Sequence, residues 1–169
     1  MSNNKIEYVD EDYFLSVPDE MVDFLTENGI KNVERLGISF SVLRERCQKL
    51  AILLCTGSGG ATVLFLTKDL NRQTFGLLPL ACIWGICTIV LVFKCLKAIG
   101  QPIAWGRPLL LYAENETLGA LKRKRLYDYS NSSERLKAMN LQMGKWFNRV
   151  MIAAVVTPII ILLIVIFLV

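Results

Sequence analysis

Few residues in this chain could do chemistry, and their spacing limits what that chemistry could be. There is no histidine among the 169 residues, which removes the usual general base and the commonest metal ligand. Five cysteines, Cys47, Cys55, Cys82, Cys87 and Cys95, form no C-x-x-C pair and lie in or beside apolar stretches. A redox or metal centre needs paired ligand spacing, so these thiols read as small apolar residues in packed helices. Asp10, Glu11 and Asp12, within the acidic-aromatic residues 8–14, lack the alternating spacing and turn glycine of a calcium loop. They read as a solvated or partner-facing segment.

Two clusters remain. Thr56-Gly57-Ser58-Gly59-Gly60 has the glycine density of a phosphate loop but not its terminal Gly-Lys-Ser/Thr. A locally unwound helix that bares carbonyls to an ion is a second reading, but no inverted repeat supports it. The third is close helix association, with Cys55-x-x-x-Gly59 and Gly57-x-x-x-Ala61 meeting Ala81-x-x-x-Gly85. Gly57, Gly59, Gly60, Ala81 and Gly85 are therefore the expected helix-packing or partner-contact residues, within the chain or between copies. The other cluster, Lys122-Arg123-Lys124-Arg125, could suit nucleic acid. Without a binding motif, charge alone gives only non-specific contact there. Attraction to anionic lipid headgroups, on the order of 1 kcal/mol per base, is the expectation instead.

These clusters assemble no catalytic constellation: no nucleophile has a base, and no cofactor fingerprint is present. The reading is non-enzymatic, with no cofactor, no metal, no small-molecule substrate and no specific nucleic-acid partner.

What must position the clusters is an unusually apolar chain. Apolar residues make up 53% and charged ones 20%, with mean hydropathy +0.43. A soluble domain has roughly 45–50% and about 25%. The excess sits in three uncharged runs, residues 50–66 (LAILLCTGSGGATVLFL), 76–93 (GLLPLACIWGICTIVLVF) and 151–169 (MIAAVVTPIIILLIVIFLV). A bilayer core requires roughly 17–25 largely apolar helical residues, so the fold class is all-α: an integral membrane protein with three transmembrane helices and helical cytoplasmic flanks. The first run starts only after forty-nine residues rich in charge, unlike a cleaved leader.

The predicted organisation is a cytoplasmic N-terminal segment (1–49), a transmembrane hairpin (50–93), a basic cytoplasmic loop (94–149) and a C-terminal span (150–169). Orientation follows the bases. The loop carries eleven basic and four acidic residues, whereas Lys68, Asp69 and Arg72 alone lie between the first two runs. The sequons Asn115-Glu116-Thr117 and Asn131-Ser132-Ser133 fall on the inside in this topology and should stay unmodified.

In the flanks, Ser16, Pro18, Asp19 and Glu20 predict a helix start and Gly29 its stop, with Met21, Phe24 and Leu25 buried. A short turn over residues 32–36 ends at Gly37. From Ser41 a helix runs into the first span with Phe40, Leu43, Cys47, Leu50 and Leu54 on one face. Residues 101–112 (QPIAWGRPLLLY) are too broken to span and suit the interface. A helix over residues 115–127 is followed by a fresh start at Asn131-Ser132-Ser133-Glu134. It places Leu136, Met139, Met143, Trp146, Phe147 and Val150 on one stripe and bends at Pro158.

Two functions fit this build. One is a small multi-pass protein of the bacterial inner membrane that binds and blocks or regulates another membrane protein. Toxin-immunity proteins, and those that bar a second conjugative plasmid from a cell, have this architecture. The other is an oligomeric pore-forming or membrane-perturbing effector. Expected partners are membrane lipids and either another membrane protein or a second copy.

Overall fold

A computed structural model describes residues 16–67, 76–97 and 117–168. These form three helices: α1 (Asp19–Thr67), α2 (Leu77–Leu91), which continues into a π-helical turn (Val92–Leu96), and α3 (Leu118–Leu168). The acidic-aromatic residues 8–14, the turn at 68–75, and residues 101–112 with Trp105 lie outside the described residues, as does Asn115.

All three helices are long and apolar enough to cross a membrane. α1 and α3 contain 49 and 51 residues, more than twice what a bilayer core needs at about 1.5 Å per residue. Part of each is therefore available to water.

Helix starts follow local chemistry. Asp19 and Glu20 occupy the first turn of α1, where carboxylates meet the positive end of the helix dipole. The carbonyl of Pro18 accepts from the amides of Met21 and Val22 at 2.9 and 3.2 Å. Thr117 caps α3: its hydroxyl accepts from the Ala120 amide at 3.3 Å and its carbonyl from Leu121 at 3.1 Å. Pro79 falls in the first turn of α2, where its missing N–H removes no helical bond.

Four expected interruptions do not occur. α1 continues through Gly29 and Gly37, and no glycine takes positive φ among the described residues, so neither acts as a helix stop. The glycine run 56–60 stays helical, which removes the unwound-helix reading. α3 has no fresh start at Asn131; Ser132 and Ser133 are buried side chains of its interior. The helix carries on through Pro158 as one rod, as its stripe predicts. Beside that proline the Thr157 hydroxyl donates to the Ala153 carbonyl at 2.6 Å.

The second apolar run, in contrast, extends past Lys94. The Lys97 amide bonds the Val92 carbonyl at 2.7 Å, a five-residue step that inserts an extra residue into the turn. Lys97 then leaves helical geometry with φ −48° and ψ 132°.

The chain divides into two compact units. Among the described residues, one comprises 16–41 with 117–141, the other 42–67 and 76–97 with 142–168.

In the first unit, α1 and α3 run parallel, because ascending residues meet in order. Asp19 meets Arg123, Gly29 meets Tyr129, Asn32 meets Ser133 and Leu36 meets Asn140. The inward positions alternate steps of four and three: Val22, Thr26, Gly29, Val33, Leu36 and Phe40 answer Leu126, Tyr129, Ser133, Leu136 and Asn140. That is the spacing of a two-helix coil. Val22, not its bulkier neighbours, is the buried anchor at 1% exposure, while Met21 and Phe24 are 52% and 63% exposed. The expected stripe is thus displaced. Gly29 sets the register: a Cβ there would lie 3.3 Å from Tyr129 Cβ, and Tyr129 fills that space, 2% exposed.

In the second unit, α1 and α2 run antiparallel, since Ser58 meets Ala81 and Cys47 meets Cys95. The other half of α3 joins through Gly144 beside Leu43 and the Met143 carbonyl beside the Cys95 thiol. Cys47, Leu54, Leu91, Cys95, Met143 and Val150 form the core. This matches much of the apolar stripes expected on α1 and α3.

Candidate functional site

The glycine-rich stretch of α1 divides into two faces with different surroundings. Gly57 faces α2. A Cβ built there would stand 2.3 and 2.6 Å from two indole carbons of Trp84, so only glycine leaves room for the ring. The Trp84 indole N–H is buried without an acceptor among the described residues. What holds the ring is therefore the notch, not a hydrogen bond. One residue on, the Ser58 hydroxyl donates to the Ala81 carbonyl at 2.9 Å, and a Cβ added at Gly85 would meet the Ser58 hydroxyl oxygen at an ordinary 3.5 Å. Interhelical bonds of this kind average roughly 0.6 kcal/mol in apolar surroundings. Ala81 is buried.

Gly59 and Gly60 face the other way. Both are exposed, and a Cβ at either would meet nothing within 4 Å. Cys55 and Thr56 share that exposed side. Of the five expected packing residues, Gly57, Ala81 and Gly85 form an internal seam; Gly59 and Gly60 do not. Helical spacing signals this for Gly59, which lies two beyond Gly57, but not for Gly60, which lies three beyond it and would share its face.

The basic run is placed in the first unit. Lys122 pairs with Asp23 at 2.8 Å. Arg123 donates to Asp19 at 2.6 Å and to the Val17 carbonyl at 3.1 Å. Arg125 lies 5.6 Å from the Tyr129 ring centre and donates to its hydroxyl at 3.2 Å. Lys124 is engaged as well. The run thus meets partners inside the chain, chiefly the carboxylates that open α1. The pairs are mostly solvent-exposed, so each contributes well under about 1 kcal/mol and serves chiefly to fix register. Beside them is an open groove of about 650 Å³, lined by Asn28, Asn32, Arg35, Tyr129, Ser130 and Ser133.

A feature that the sequence reading missed lies where α2 ends. Lys94, in the π-helical turn, stands 5.8 Å from the ring centre of Trp146, and the Arg149 guanidinium stands 5.1 Å from it. Two cations therefore converge on one indole. Sequence spacing gives Trp146 and Arg149 as neighbours on a helix face, but not Lys94, whose direction depends on the extra residue of the π turn.

Glu27 and Glu45, each bonded by a lysine four residues on at 2.6 Å, are held below the usual glutamate range by that hydrogen bond and the lysine charge. Among the described residues no three of Cys, Asp and Glu gather as a metal site. No protein-family model, curated protein or solved structure matches the chain.

Proposed function

We propose that this chain is a three-span integral membrane protein that acts without catalysis, by binding and blocking or regulating another membrane protein. The bacterial inner membrane is the setting that suits it. The N-terminus and residues 94–149 face the cytoplasm and the C-terminus lies at the outer face, following the placement of the bases. The observation that carries this reading is the division of the glycines. Gly57 is occupied within the chain by Trp84, whereas Gly59 and Gly60 have nothing against them. In lipid, exposed small residues allow a second helix to approach closely, where hydrophobicity cannot drive association.

The lipid setting has its own support. Only 17%, 17% and 11% of the most apolar windows of the three spans are buried by protein. Ile52, Leu53, Leu66, Ile152 and Phe167 are among the side chains left outside. An apolar surface that large is otherwise a liability in water.

The test compares recovery of crosslinked membrane partners from native cells expressing the wild type, Gly59→Leu with Gly60→Leu, and Gly85→Leu as a seam control. The reading expects the outward pair of substitutions to abolish recovery while the protein stays in the membrane. Unchanged recovery removes these glycines from the interface. Rapid depolarisation when the chain is induced in a host without its native partner would instead favour the pore-forming effector.

A further inference from the structure

Bases cluster where the apolar runs end in the second unit. Arg44 and Arg46 precede the first run, Lys94 and Lys97 close the second, and Lys145 and Arg149 precede the third. Among the described residues none of these six is ion-paired with a carboxylate. The one acid in these stretches, Glu45, is bonded to Lys49 at 2.6 Å. This differs from the Lys122–Arg125 run, in which Lys122 and Arg123 pair with Asp23 and Asp19.

Two of the six are held in place together. Lys94 and Arg149 lie 5.8 and 5.1 Å from the Trp146 ring centre, and both are exposed. An aromatic face orders a cation without consuming its N–H donors. The ammonium therefore keeps three donors and the guanidinium its fork, the set that recognises phosphate oxygens. The π turn contributes by burying Cys95, 4% exposed, while leaving Lys94 at the surface.

We propose that Lys94, Trp146 and Arg149 form a binding site for the phosphate of an anionic phospholipid. Phosphate chemistry alone would also admit a free anion. The lipid is favoured because Phe93, adjacent to Lys94, and Met151, two residues beyond Arg149, are exposed apolar side chains along which acyl chains can lie. Tryptophan and base at the edge of an apolar run is also the arrangement of a headgroup layer. The inference rests on the membrane reading above.

The test uses the purified full chain. It is floated with phosphatidylcholine vesicles, with and without phosphatidylglycerol, and lipid retained per chain is then read by native mass spectrometry. The wild type should retain phosphatidylglycerol over phosphatidylcholine. Lys94→Gln with Arg149→Gln should reduce that preference about thirtyfold, from two surface bases removed. Lys94→Arg with Arg149→Lys should restore most of it, and Lys122→Gln with Arg123→Gln should leave it intact. Equal retention of both lipids, or an unchanged preference in the double glutamine variant, overturns the site. So does displacement of the lipid by equimolar inorganic phosphate, which identifies a free-anion site. Failure to float with either vesicle sinks the membrane reading itself and the site with it.

Discussion

In the unit formed by residues 16–41 and 117–141, bases meet acids and polar side chains share the helix seam. Lys122 and Arg123 reach Asp23 and Asp19, and Asn32 donates to Ser133 at 2.7 Å between the helices. In the unit formed by residues 42–67, 76–97 and 142–168, the seam is built of Gly57, Trp84, Ser58 and Ala81. Its bases, such as Lys94 and Arg149, have an indole for company and no carboxylate. In the first unit Lys122 and Arg123 are answered by carboxylates of the same chain. The second leaves cations and glycines open, which is where molecules from outside are expected to act.

The sharpest way to break this contrast is to empty the first unit's core. Tyr129→Ala removes a ring that is 2% exposed and should cost about 3 kcal/mol or more, read as denaturant unfolding by circular dichroism. A change under about 1 kcal/mol would mean that the coil does not depend on Gly29 and Tyr129. In the second unit, Gly57→Leu forces Trp84 from its notch and should cost about 1–3 kcal/mol. Gly59→Leu and Gly60→Leu should lower stability little or raise it, since glycine disfavours helix by up to about 1 kcal/mol. Similar losses at all three positions in detergent-solubilised protein would erase the distinction between inner and outer glycines.

Smaller changes sharpen the comparison. Ser58→Ala should cost roughly 0.6 kcal/mol. A double-mutant cycle on Asp23→Asn and Lys122→Gln should give a coupling between about 0 and 1 kcal/mol that fades with salt. Smallest is the effect of pH on Glu27 and Glu45. Their folded pKa values lie below the ordinary glutamate value, so the folded state binds fewer protons than the unfolded one. Their contribution is present above the ordinary value and is lost as pH falls through the folded one. Glu45→Gln should flatten the melting temperature across that window, and an unchanged profile would show that the pair contributes nothing.

Much of this architecture is legible in the sequence because bilayer-length apolar runs and helical stripes are local properties. Asp19 as a helix start and the stripe of Phe40, Cys47 and Leu54 are of this kind. Local signals fail where a distant side chain decides. Gly29 reads as a stop, yet it is the space that Tyr129 occupies. Asn131-Ser132-Ser133-Glu134 reads as a cap, yet Ser133 lies in mid-helix accepting a bond from Asn32. Met21 and Phe24 are the bulkiest apolar residues near the start of α1, but the close approach of α3 favours Val22. Three of the five candidate packing residues were readable as an internal seam from small-residue spacing, whereas the meeting of Lys94 with Trp146 was not, since it depends on a π turn.

The central claim is that lipid surrounds the three apolar helices. Alkaline carbonate extraction of native membranes tests it most directly. The account predicts that the intact chain stays with the membrane pellet and leaves it only in detergent. Recovery in the aqueous fraction without detergent, as a compact monomer, would contradict it.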